Sequence, residues 1–183
     1  NGILSNWSID SHSMIEARFG AVGVYYNGYI YAIGGENGVS ISTTAERTKV
    51  NPDGTLSAWT TISTLPQDFY ASTLVRASSY VYLLGSYGGT TDVWRVGLNP
   101  DGSMGTWQLM TAHFSQTRYA AQAALVDNYI YLTGGASLAV GPIFSYVERA
   151  LIYPDGNLAP WETISQTSTD HVAGMLARIG NSL

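Results

Sequence analysis

Hydrophobic positions in this chain fall in short runs, each closed by a cluster of Gly, Asn, Asp, Pro or Ser, and no stretch keeps the 3.6-residue spacing of an amphipathic helix. The first series sets the pattern. Ala21 to Tyr26 stops at Asn27-Gly28, a dipeptide suited to a two-residue type I′ hairpin because both central residues need positive φ. Tyr29 to Ile33 is then the second strand and ends at Gly34-Gly35. After a variable loop, Thr44 to Val50 is the third strand, closed by Asn51-Pro52-Asp53-Gly54, where Pro presets φ and Gly accepts the left-handed position. Leu56 to Ile62 is the fourth. The second strands are apolar on both alternating faces, as expected of a sheet packed between two neighbours.

The series recurs with a period of about 50 residues. Asn1-Gly2-Ile3-Leu4-Ser5-Asn6-Trp7 returns as Asp53-Gly54-Thr55-Leu56-Ser57-Ala58-Trp59, as Asp101-Gly102-Ser103-Met104-Gly105-Thr106-Trp107 and as Asp155-Gly156-Asn157-Leu158-Ala159-Pro160-Trp161. In the same register, Tyr29-Ile30-Tyr31-Ala32-Ile33-Gly34-Gly35 returns as Tyr80-Val81-Tyr82-Leu83-Leu84-Gly85-Ser86 and as Tyr129-Ile130-Tyr131-Leu132-Thr133-Gly134-Gly135.

A glycine pair after an aromatic-rich strand, a downstream Trp and this period together resemble the kelch repeat, and the resemblance covers essentially the whole chain. It implies an all-β, partial kelch-type β-propeller in one domain. Three complete four-stranded antiparallel blades are expected at about 18–62, 70–110 and 118–164. An outer strand is expected at about 3–9 and the inner strand of a next blade at about 171–179. Ser86, in place of the second glycine, is a departure expected to alter its turn without removing the blade. The WD dipeptide of another propeller family is absent, and the Asp-Gly phrases lack the intervening residue of a sialidase Asp-box, so they read as hairpin turns. Three blades plus fragments do not make a ring of the usual four to eight. The expected partners therefore include the remaining blades of the same protein or a second copy.

Composition narrows the function. The 183 residues carry a net charge of −5 with no run of Lys or Arg, which gives no electrostatic footprint for nucleic acid. No apolar stretch is long enough for a membrane-spanning helix. The chain has no cysteine, which removes disulfides and Cys-based zinc sites, and no cofactor or metal is expected. A surface rich in Ser, Thr, Asn, Gly and Tyr favours a secreted or cell-surface protein.

Residues found once per blade are explained by the blade, whereas chemistry needs different groups converging once. Trp7, Trp59, Trp107 and Trp161, the glycines Gly34, Gly35, Gly85, Gly134 and Gly135, and the arginines Arg47, Arg95 and Arg149 therefore read as structural. Each of these guanidiniums is expected to satisfy neighbouring carbonyls or to stack on an aromatic ring.

The variable loops joining strands two to three and four to one share one face and are the functional candidates. Arg18, Phe69, Arg118 and His171 occupy equivalent places at the start of the innermost strand, differ in chemistry, and are the first candidate ligand contacts. They are expected at an exposed rim. Tyr70, Tyr119 and His113 stand beside them, with Asp68, Phe114, Asp170, Glu36, Asn37 and Tyr87 in the same loops. Rings with polar forks suit a carbohydrate or a protein ligand.

His12, His113 and His171 lack the paired spacing of a metal motif, and no catalytic residue is assigned. The reading is a non-enzymatic binding or scaffold propeller. The alternative is part of a carbohydrate-active propeller enzyme, resembling sialidases, sialic-acid mutarotases or galactose oxidases. The copper site of the last needs a Cys that this chain lacks, and the first two would have Arg18 and Arg118 as remnants of an arginine cluster.

Overall fold

A computed structural model describes residues 9–137, 141–174 and 176. Among them, twelve strands form three antiparallel sheets of four, each in sequence order. The first blade is β1 (Val22–Tyr26), β2 (Tyr29–Ile33), β3 (Thr44–Lys49) and β4 (Thr60–Thr64). The second is β5 (Thr73–Ala77), β6 (Tyr80–Leu84), β7 (Val93–Gly97) and β8 (Gln108–Leu109), and the third is β9 (Gln122–Val126), β10 (Tyr129–Thr133), β11 (Tyr146–Leu151) and β12 (Glu162–Gln166). Trp7 and the expected strand at 3–9 lie outside the described residues apart from Ile9; of the strand expected at 171–179, residues 171–174 and 176 are described and form no strand, and the other four positions lie outside the described residues.

The first hairpin turns at Asn27 and Gly28, with φ of 47° and 85°, so both adopt the left-handed conformation that the type I′ turn demands. The fourth strand departs from expectation. It begins after the tryptophan, because Leu56 first bridges Val50 and Ser57 N–H donates to the Lys49 carbonyl (2.9 Å), which prolongs the turn. Pairing resumes at Arg47 opposite Thr60, with an irregularity between Ala45 and Glu46. The third blade repeats this irregularity between Val147 and Glu148, so Glu46 and Glu148 occupy matching places.

The core lies between the blades. Tyr31, Ile33 and Ala45 of the first blade meet Val81, Leu83 and Val96 of the second. The other face of β6 carries Tyr82 and Leu84 against Ile130, Leu132 and Ala150 of the third. Both faces of the second strand are thus buried, which is why its sequence lacks polar alternation.

Polar ties repeat at each junction. The Tyr31 hydroxyl donates to the Gly102 carbonyl (3.0 Å) while Arg47 Nη1 donates to the Asp101 carbonyl (2.9 Å). At the next junction Tyr82 donates to Gly156 (2.7 Å) and Arg95 to Asp155 (3.0 Å). Arg47, Arg95 and Arg149 also lie over the rings of Tyr29, Tyr80 and Tyr129 at 4.7–4.9 Å. Burial pushes the Tyr31 hydroxyl up to about 12, so it remains a donor across the physiological range. Arg149 meets no turn of a following blade among the described residues, and its Nε donates to Glu162 (2.6 Å) instead.

The tryptophans are half-buried rather than largely buried. Trp107 lies 5.9 Å from the Phe69 ring, and its Nε1–H donates to Ser63 of the preceding blade (3.1 Å). Trp161 packs on Phe114 at the following junction. Trp59 faces no preceding blade among the described residues. Trp107→Ala is expected to cost roughly 2–3 kcal/mol, below the 3–5 of a fully buried ring, and clearly more than Trp59→Ala. Equal losses of stability in urea unfolding would contradict the inter-blade role.

Ser86 shows how the middle blade manages without its second glycine. In the outer blades Phe19 bridges Glu36 and Tyr119 bridges Ala136 through the backbone. In the middle blade the Ser86 hydroxyl accepts from Tyr70 N–H (3.1 Å) and donates to the Asp68 carbonyl (3.0 Å). The turn is altered and the blade retained.

Candidate functional site

On the variable-loop face each blade begins with a residue in the left-handed conformation. These are Gly20 (φ 62°), Ala71 (φ 51°) and Ala120 (φ 49°), followed by Ala173 (φ 55°). Backbone hydrogen bonds run from Ala71 N–H to Gly20, from Ala120 N–H to Ala71 and from Ala173 N–H to Ala120, at 2.6–3.1 Å. This chain of bonds stitches the innermost strands together. It also holds three alanines where an L-residue is strained by about 1–2 kcal/mol each, and such strain persists only where the surrounding structure fixes it.

The residue before each left-handed position is aromatic in all three blades: Phe19, Tyr70 and Tyr119. With Tyr87 from the loop between β6 and β7 they make a continuous ladder of rings. Successive centroids are 5.3, 5.6 and 5.2 Å apart, all in edge-on geometry. Phe19 is 56% exposed and Tyr87 43%, so the ladder is open to solvent across three blades. The three tyrosine hydroxyls have no hydrogen-bond partner among the described residues. Desolvation, and then the nearby Glu36 carboxylate, push the Tyr70 hydroxyl above the usual tyrosine range, which keeps it protonated.

The start-of-strand residues lie deeper. The expected exposed rim for Arg18 and Arg118 is corrected by their side chains, both 0% exposed. Arg18 donates to the Gly34 carbonyl (2.8 Å), Ser42, Thr44 and Glu46 (2.7 Å), and pairs with Glu16 at 2.9 Å. Arg118 donates to the Gly134 carbonyl (3.1 Å) and to Glu148, between the rings of Phe114 and Phe144. Both glutamates are buried at the third-strand irregularity. Phe69 is buried on Trp107, and its carbonyl accepts from Gly35 N–H (2.7 Å). His171 is half-buried, and its carbonyl accepts from Gly135 N–H (2.8 Å). Position rather than shared chemistry unites the four. Phe69, Arg118 and His171 sit over the first glycine of the blade before them.

The structure therefore joins Tyr70 and Tyr119 with Tyr87 in one surface and leaves His113 apart, exposed beside Asp92 at 3.5 Å. Phe19 completes the ladder although the repeat did not single it out. Its signal was its place one residue after Arg18, as Tyr70 follows Phe69 and Tyr119 follows Arg118. Asn37 is occupied, donating to Glu16 (3.1 Å). Asp170 lies apart from the ladder, at a groove of about 610 Å³ shared with Ser115, Phe144 and Tyr146. Among the described residues no group of three His, Asp or Glu side chains could hold a metal. What the ladder offers a ligand is ring faces, free hydroxyls and the neighbouring carboxylate of Glu36.

No protein-family model matches the chain. It is similar to the mouse Kelch-like protein 23, with 26% identity over 153 residues, which cover 83% of this chain and 25% of that protein. The chain thus spans a quarter of the length of that relative. Its fold is similar to the solved structure of YjhT, a kelch-type propeller, with a TM-score of 0.73 and 12% identity over 93% of this chain and 62% of that one. The repeat in this chain is similar to the kelch repeat, and its three sheets are blades of a β-propeller fold.

Proposed function

We propose that this propeller is a non-enzymatic binding or scaffold module whose protein or carbohydrate ligand lies on the variable-loop face. The observation that carries this reading is the solvent-open ladder of Phe19, Tyr70, Tyr87 and Tyr119, built on backbone held in the left-handed conformation in every blade and strained at Ala71 and Ala120. Exposed rings in a continuous row contribute little to the core, whereas large rigid rings are efficient contacts at interfaces. The carbohydrate-active alternative would draw on arginines on this face. Arg18 and Arg118 are both enclosed and ion-paired, so neither offers a free guanidinium there.

Screening the protein against peptide and glycan arrays tests the proposal. Tyr87→Ala and Phe19→Ala are each expected to weaken the selected interaction roughly tenfold or more while leaving the melting temperature nearly unchanged. A partner whose footprint lies on the turns at Pro52, Pro100 and Pro154, with binding indifferent to Tyr87, would overturn it.

A further inference from the structure

We infer that the aromatic ladder takes a cationic partner, an extended protein segment bearing Lys or Arg. This deepens the binding reading above and rests on it. Among the described residues, Lys and Arg are sorted between the two faces. Arg47 and Arg95 donate to turn carbonyls of the next blade, Arg76 donates to Ser78 at the β5–β6 turn (2.7 Å), and Lys49 ends β3 beside its turn. All of them lie toward the tight-turn end, as does Arg149 on β11. The variable-loop face holds Arg18 and Arg118, and each is neutralised by a buried glutamate, Glu46 and Glu148 respectively.

Among the described residues, the other Asp, Glu, Lys and Arg side chains on that face are Glu16, Glu36, Asp68, Asp92 and Asp170, all acidic. Glu16 is occupied by Arg18, and Asp92 lies beside His113. Glu36 and Asp68 have no hydrogen-bond or ion-pair partner among the described residues, and both adjoin the ladder. Glu36 pairs through its backbone with Phe19 and raises the Tyr70 hydroxyl, while the Asp68 carbonyl is tied to Ser86 within the same hydrogen-bond set as Tyr70.

Ring faces carry negative electrostatic potential and attract ammonium and guanidinium groups. With the Glu36 carboxylate beside them, the surface suits the cations of an extended segment and opposes an anionic ligand. An uncharged sugar would use the rings without needing the carboxylate.

The test titrates the protein with three synthetic peptides of one Gly/Ser-spaced framework, bearing Lys and Arg, Gln, or Glu at the spaced positions, and with a neutral oligosaccharide. The basic peptide is expected to bind at least about tenfold tighter than the Gln peptide and to weaken as salt rises. Glu36→Gln and Asp68→Asn are each expected to weaken it about two- to fivefold, whereas Asp53→Asn on the opposite face leaves it unchanged. Equal binding of the Gln peptide or the oligosaccharide, still lost in Tyr87→Ala, would overturn the cationic assignment and leave the binding face intact. Binding of the basic peptide that is indifferent to Tyr87→Ala would overturn both.

Discussion

Replacing Arg118 by Ala is expected to destabilise the protein by about 3–5 kcal/mol, the cost of breaking a buried ion pair from one side. Its guanidinium is enclosed by Phe114 and Phe144 and donates to Glu148 and to the Gly134 carbonyl. Desolvation holds the Arg118 guanidinium below its ordinary pKa, and the Glu148 carboxylate opposes that shift, yet the group remains cationic at neutral pH. Without it, Glu148 keeps the N–H of Ser115 (2.8 Å) but loses its counter-charge while still 1% exposed. The Arg118→Met, Glu148→Met double variant should recover much of the loss, because two apolar side chains remove both desolvation costs together. Urea unfolding measures both. A change of under about 0.5 kcal/mol in Arg118→Ala, the size expected of an exposed surface charge, would show that the pair carries no stability.

The blades were legible in the sequence because their signals are local: Asn27-Gly28 fixes a hairpin, and the Tyr-rich second strands announce burial on both faces. The depth of Arg18 and Arg118 was not legible, because it depends on Glu46 and Glu148, which are 28 and 30 residues away and turn inward only at the bulge-like irregularities of the third strand. The aromatic ladder was half legible. Tyr70 and Tyr119 follow candidate positions in their own blades, but nothing in a single repeat says that Tyr87 lies between them in space. The strand boundary after each tryptophan was missed for a related reason: the Leu56 to Val50 bridge extends a turn that residue types alone would have ended sooner.

Gly85→Ala is expected to cost roughly 2–5 kcal/mol, combining left-handed backbone strain with steric overpacking. Gly85 has φ of 64°, and a Cβ there would lie 2.2 Å from the Arg118 carbonyl oxygen of the next blade. That oxygen belongs to backbone held by a neighbouring blade, so it cannot move aside as a flexible side chain could. Gly28 is the control. Its φ is 85° but nothing lies within 4 Å of its Cβ position, so Gly28→Ala carries only the conformational term of roughly 1–2 kcal/mol. The same near-collision recurs at Gly34 against the Phe69 carbonyl and at Gly134 against His171. The first glycine of each pair is therefore required by the close passage of the following blade, which explains why it survives in the middle blade where the second glycine becomes Ser86. Urea unfolding of the two variants separates the contributions: a Gly85→Ala loss equal to that of Gly28→Ala would mean that backbone conformation alone, and not blade-to-blade contact, sets the repeat's most regular residue.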